Sequence, residues 1–272
     1  TEQDIDDLDL NFIHEDSSIV SLYKFNAGNG NILFDHSGNQ NHGTIHGATW
    51  EEYEEDFLYE DNNYSLHFSG NNNYVNIGRP VSAYENDEFS ISMWFKTSHD
   101  YTGQIWNGEE GILITNDTQP NNPEFRLGVQ VDNTLFFSVG SPSVDISTDF
   151  IVNDNVFHHV VAIKEVDKIK LYVDGDFIDE TVFNSSADHG SDLFLGAYRS
   201  AGEVGNYYGN MDNINIYDRP LNDWEIENLY DNQFVNDGLK GRWLVNEGSG
   251  NVLYDYSSNE NHGTIYGASW IN

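Results

Sequence analysis

The sequence predicts an all-β chain, an antiparallel β-sandwich with one short helix near its C-terminal end. Three observations predict it: apolar and aromatic residues recur with period two in short runs, turn residues punctuate those runs, and a single segment shows helical spacing behind a cap. The 272 residues are 38% hydrophobic and 14% aromatic, enough to fill one large core and too much for a disordered chain.

Taken in order, Phe89 to Lys96 (FSISMWFK), Glu124 to Val131, Thr134 to Val139, Val156 to Lys164, Lys168 to Val173 and Phe177 to Phe183 read as strands. Ile169, Leu171 and Val173 alternate with Lys168, Lys170 and Tyr172. Asp174-Gly175 then supplies the pair that a two-residue hairpin turn favours, because both positions need positive φ. The one helix starts behind Asn222, whose side chain can cap it with Glu225 three residues on. Ile226, Leu229 and Tyr230 give it one apolar stripe. Many short strands with so little helix pack as two antiparallel sheets.

A repeat recurs at a spacing of 220 residues: Asp35 to Trp50 reads DHSGNQNHGTIHGATW and Asp255 to Trp270 reads DYSSNENHGTIYGASW, with 11 of 16 positions identical. Upstream, Asn26, Gly28, Gly30, Asn31 and Leu33 match Asn246, Gly248, Gly250, Asn251 and Leu253. The expected organisation is an acidic leader or linker over 1–18, a sandwich over 19–233, and over 234–272 either the start of a second repeat or a strand-donating tail. That last segment is too short to bury a core alone. It would add strands to a sheet of its own chain or of a neighbour. Opening at Thr1 without a signal-like stretch suits a processed or excised fragment.

Lys and Arg total 11 against 46 Asp and Glu, a formal charge of −35. Such a field repels phosphates and anionic headgroups, which excludes nucleic-acid and membrane-surface partners. It attracts cations, and it also suits a chain dissolved in salty medium. Cysteine is absent, which removes disulfides, thiolate nucleophiles and Cys-type zinc sites. No apolar run approaches the ~18 residues of a membrane-spanning helix.

Three stretches together resemble the laminin G-like, concanavalin A-like family of jelly-roll domains, in its bacterial form. They are Leu22 to Gly47 (LYKFNAGNGNILFDHSGNQNHGTIHG), the FHHVV run at Phe157 with the KIKLYVDGDFIDE hairpin, and LFLGAYRS at Leu193 with GNMDNINIYDRPLNDWEIENLY at Gly209. The resemblance covers nearly all of residues 19 to 233 and implies a jelly roll. It implies no single ligand, since lectins, adhesion modules, calcium-dependent pentraxins and glycoside-cleaving enzymes share related folds.

Calcium is the first candidate ligand. The loop from Asp35 to Asn41 offers a carboxylate and two amides, and the resembled fold sets its closing strand beside the opening one, which would bring Asp212 of GNMDN near. The expected structural site is Asp35, Asn39, Asn41, Asp212 and backbone carbonyls; the same residues also suit Asx turns. Sugar is the second candidate, through aromatic rings and neighbouring polar groups in two loops, Ser98 to Glu110 and Tyr198 to Tyr208. The candidate contacts are Tyr101, Trp106, Tyr198, Arg199 and Tyr207, each of which could instead pack in a core. No catalytic residues are assigned: the acidic clusters at Glu51 to Asp56 and around Asp174 lie in a loop and a turn, and no strand carries paired carboxylates facing a cleft. Adjacent His158 and His159 point to opposite faces and cannot share a metal ion. The expected function is a non-catalytic extracellular module, secreted or on a cell surface, that binds polysaccharide or glycoconjugate glycan and is stabilised by Ca2+. The alternative is an adhesion repeat or fibre subunit that associates with neighbouring copies of itself through residues 234–272.

Overall fold

Strands were expected from residue 89 onward, and a computed structural model places them there with others on both sides. It describes residues 20–21, 30–33, 39, 41–49, 64–70, 73–78, 88–102, 110–116, 125–140, 142–182, 192–198 and 205–272. The chain divides into two units, residues 1–58 and 59–272. In the first, β1 (Ile32–Leu33) pairs antiparallel with β2 (Gly43–Thr44), Ile32 opposite Thr44 and Leu33 opposite Gly43.

The second unit holds the sandwich. Its strands are β3 (Ser65–Ser69), β4 (Tyr74–Gly78), β5 (Phe89–Lys96), β6 (Gly111–Thr115), β7 (Phe125–Val129), β8 (Thr134–Val139), β9 (Val144–Ile151), β10 (His158–Lys164), β11 (Lys168–Val173), β12 (Asp176–Val182), β13 (Leu193–Leu195), β14 (Tyr208–Tyr217), β15 (Leu239–Trp243), β16 (Val252–Leu253), β17 (Gly263–Tyr266) and β18 (Ser269–Ile271). The first sheet runs β12-β11-β10-β5-β14-β3-β18, with β15 also paired to β14; the second runs β16-β17-β4-β13-β6-β7-β8-β9. All pairings are antiparallel, as a jelly-roll sandwich requires.

Period-two patterning decides which residues meet between the sheets. Phe89, Ile91, Met93 and Phe95 of β5 point into the core with Phe125, Leu127 and Val129 of β7 and Leu135, Phe137 and Val139 of β8. Phe89 meets Phe125 at 5.1 Å between ring centres. The β11–β12 hairpin turns at Asp174 (φ 53) and Gly175 (φ 84), both positive as the pair predicted. Helix α1 (Asp223–Tyr230) has both bonds of its capping box, Asn222 and Glu225 each accepting from the other's backbone N–H. Ile226 and Leu229 pack it onto the outer face of the first sheet, over Val161, Ile163, Tyr172 and Tyr217. Each such burial contributes roughly 1.5–3 kcal/mol.

Residues 234–272 add their strands to sheets of their own chain, the first of the two ways a strand-donating tail could act, and so complete this sandwich. β15 pairs with β14, β17 with β4 and β18 with β3. Trp243, Val245 and Leu253 are fully buried in the main core, and the Trp243 indole N–H donates to Asn261 O at 3.0 Å. The sandwich therefore runs from about residue 64 to 271 rather than 19 to 233. The physical reason is that an apolar segment too short for its own core takes the open edges of β3 and β4. β14 accommodates this with a register shift between Asp212 and Asn215, where Asn213 adopts φ 45; its first half pairs with β3 and its second with β15.

Candidate functional site

Of the five residues expected to touch sugar, Trp106 and Arg199 lie outside the described residues. Tyr101 and Tyr207 are spent on the core. Tyr207 is fully buried and its hydroxyl donates to Lys96 O at 2.8 Å; Tyr101 is 2% exposed and its hydroxyl accepts from Tyr208 N–H at 2.9 Å. A sandwich this rich in rings fills its interior with them, and packing outweighs ligand contact at both positions.

Tyr198 has a different use. On the face of the second sheet opposite the core, its hydroxyl donates to the Glu110 carboxylate and accepts from Arg126 Nη1 at 3.0 Å. Arg126 Nη2 donates to Ser138 Oγ at 3.0 Å, and the Arg126–Glu110 ion pair measures 3.5 Å. Ile112, Phe136 and Tyr198 form a small apolar cluster beside this network. Burial pushes the Glu110 carboxyl up, against the pull of Tyr198 and Arg126. Burial also works against the charge of Arg126, but Tyr198 and Glu110 outweigh it and raise its pKa. The network ties together the ends of the two loops picked from sequence, since Glu110 ends one and Tyr198 begins the other; Ile112 N–H to Gly205 O at 3.0 Å is a second tie. Tyr198 is thus a clamp between the described ends of those loops.

A small open hollow lies on the outer face of the first sheet, beside α1. Trp94 forms one wall, its ring stacked on Tyr230 (5.7 Å, 16°) and tilted against His159 (5.2 Å). Phe234, 40% exposed, also lines the hollow, with the Arg242 guanidinium 4.1 Å over its ring. Asn213 and Asn215 come from the irregular stretch of β14, and Asn232 and Gln233 from the end of α1. Asn213 and Asn232 sit at φ 45 and 61, a region asparagine tolerates. His159, behind that ring contact, has Nε2 2.9 Å from Ser92 Oγ, and burial lowers its pKa to about 4, so it is neutral near pH 7. Sequence reasoning missed this site, yet its signal was present: in FSISMWFK the inward residues are Phe89, Ile91, Met93 and Phe95, which leaves Trp94 facing outward.

Asp35 of the expected calcium site lies outside the described residues. In the first unit the side-chain amides of Asn39 and Asn41 donate to Val20 O at 3.2 and 2.8 Å; in the second, Asp212 Oδ1 accepts from Asn213 N–H at 2.8 Å. The repeat equivalent of Asp35 is Asp255, 6% exposed. Its carboxylate accepts from the N–H groups of Arg242, Ser257 and Asn261, each at 2.8 Å, and from Ser257 Oγ at 2.9 Å. Oxygens aimed at four donors hold a loop closed and do not fit a cation, which needs six to eight oxygen ligands. Among the described residues there is no group of three or more His, Asp or Glu placed to hold a metal ion, and no helix long and apolar enough to cross a membrane.

A stretch of 171 residues is 27% identical to Paraclostridial mosquitocidal protein 1 of Paraclostridium bifermentans, covering 57% of this chain and 13% of that protein. The chain therefore spans only a small part of that relative. The fold resembles a candidate carbohydrate-binding protein from Bacteroides ovatus, with a TM-score of 0.59 and 14% identity over 76% of this chain and 59% of the other. It also resembles the heptameric SAP-like pentraxin of Limulus polyphemus, with a TM-score of 0.51 and 14% identity over 77% and 95%. At such identity these likenesses speak for the fold alone. The sequence model of the concanavalin A-like lectin/glucanases superfamily matches residues 69–227, more than half of the chain, and the chain belongs to that superfamily.

Proposed function

We propose that the chain is a non-catalytic carbohydrate-binding module, acting outside the cell, and that the hollow beside α1 receives the sugar. The observation that carries this reading is the company Trp94 keeps: a second ring, four side-chain amides and one guanidinium around a single hollow. Rings cover the apolar face of a sugar while amides and a cation bond its hydroxyls. The fold neighbour described as carbohydrate-binding supports the same class of ligand. A formal charge of −35 repels uronic and sulfated polymers, so the ligand is a neutral glycan.

The test is retardation in native gels cast with neutral polysaccharides, with assay of reducing ends in the same mixtures. Asn232→Gly keeps the backbone at φ 61 while removing the amide, and Gln233→Ala removes a second exposed one. Retardation that weakens in both variants supports the hollow. No retardation by any polymer, or retardation untouched by both variants, refutes it, and release of reducing ends would move the chain to the enzymes.

A structural calcium at the Asp35 to Asn41 loop is a narrower part of the same proposal. Its support is the oxygen-rich sequence, and its competitor is the hydrogen-bonded hub seen around Asp255. Melting with and without excess chelator decides between them: a fall in Tm supports the ion, and an unchanged Tm leaves the loop held by hydrogen bonds.

A further inference from the structure

The sandwich contains one slot for a segment that the chain carries twice. Residues 239–271 fill it: Thr264, Ile265 and Tyr266 pair with Asn76, Val75 and Tyr74, and Ser269, Trp270 and Ile271 pair with His67, Leu66 and Ser65. The described residues of the first copy build the same local structure in their own unit. β1 and β2 reproduce the register of β16 and β17, with Ile32 opposite Thr44 as Val252 is opposite Thr264. Ile45 N–H donates to Asn31 O at 2.8 Å, as Ile265 N–H donates to Asn251 O at 2.9 Å. The amides of Asn39 and Asn41 reach Val20 O at 3.2 and 2.8 Å, and those of Asn259 and Asn261 reach Lys240 O at 3.2 and 2.9 Å.

What differs is burial. Leu253 and Ile265 are buried in the core, whereas Leu33 and Ile45 are half-buried and Ile32 is 43% exposed. The apolar character the slot requires is kept in the first copy: Tyr23, Phe25, Leu33, Ile45 and Trp50 stand at the positions of Trp243, Val245, Leu253, Ile265 and Trp270. His46 replaces Tyr266, whose ring stacks on Tyr74 at 4.6 Å, with another flat ring.

We propose that residues 20–50 are an exchangeable donor that enters the slot of a second copy of this chain, displaces that copy's residues 239–271 and links the two head to tail. Donor and slot are different segments of the chain, so a one-way exchange makes a heterologous contact, and its repetition gives a row of copies. The charge of −35 opposes the approach of two copies, and salt within the physiological range and above screens that repulsion. The inference is independent of any sugar.

The absence of cysteine makes the test clean. Thr264 and Asn76 are directly opposed across an antiparallel pair, where Cα atoms lie about 4.5–5.5 Å apart, within disulfide range. Thr264→Cys with Asn76→Cys in one chain should close a disulfide and verifies that geometry. A chain carrying only Thr44→Cys, exposed at the position equivalent to 264, is then mixed with a chain carrying only Asn76→Cys and oxidised at low and at high salt. The expected result is a disulfide-linked heterodimer whose yield rises several-fold with salt and again when Ile265→Ala loosens the resident segment of the Asn76→Cys partner. A yield no greater than with a partner carrying Asp179→Cys, exposed on edge strand β12, overturns the proposal.

Discussion

Ile45 and Ile265 occupy the same place in two copies of one motif, so alanine at each is an internally controlled measurement. Ile265 is 7% exposed, lies opposite Val75 and belongs to the main core, whereas Ile45 is half-buried in a two-stranded unit. Truncating a buried isoleucine costs about 2–5 kcal/mol, from lost transfer free energy and the cavity left behind. Near a surface the same change costs about 1 kcal/mol or less. At about 2–4 °C per kcal/mol for a unit of this size, Ile265→Ala should lower the midpoint by roughly 6–12 °C at a cost of about 3 kcal/mol, and Ile45→Ala by under about 4 °C. Calorimetry in dilute solution, where exchange between copies is minimal, reads both. Equal shifts, or a larger shift for Ile45→Ala, would refute the placement of the C-terminal copy in the slot.

Stability should fall with acid through His159. Its folded pKa is about 4 against an unfolded value near 6.5, so below pH 6.5 the unfolded chain takes a proton that the native one refuses. About 3 kcal/mol is lost between pH 6.5 and 4, and urea titrations of His159→Gln should show a flatter slope there. His158 acts with opposite sign: its 2.7 Å bond to Asp174 raises its pKa, so its contribution is complete below about pH 6.5 and vanishes as pH rises through the raised value. Asp174→Asn keeps the turn and should shift the His158 proton titration downward, read by NMR. Asp255→Asn replaces one acceptor oxygen with an NH2 group that faces backbone N–H donors and should cost about 2–3 kcal/mol in denaturant melts. Glu225→Ala removes the Arg219 fork and half the capping box, and a loss of about 1–3 kcal/mol in the same assay is expected.

Strand β11 stands at the residues the sequence indicated because Lys168 and Lys170 alternate with buried Ile169 and Leu171, and β5 and β8 do so because aromatic and apolar residues cluster between turn residues. α1 was legible for a similar reason: Asn222, Glu225 and the Ile226–Leu229 spacing are local facts. β6 was not singled out, since GILIT is buried on both faces in mid-sheet and carries no alternation. The repeat was plain, but its role was not, because whether residues 239–271 join a neighbour or return to β3 and β4 depends on which edges the rest of the fold leaves open. The candidate site was the least legible. Tyr101, Tyr198 and Tyr207 have the composition of contacts and the burial of structural residues, and the hollow at Trp94 draws on β5, β14, β15 and α1, which no local window joins.

The pairing of Ile265 with Val75 closes a loop from residue 75 to residue 265, nearly the whole of the second unit. During synthesis, β3 and β4 therefore leave the ribosome long before their final neighbours exist. Two sheet edges stay without their partners until residues 239–271 emerge, and so long-ranged a closure places folding at the slow end, in about milliseconds to seconds. An early copy of the closing segment, made before the edges it matches, is present throughout that interval, and its removal should show as slower refolding and more aggregation.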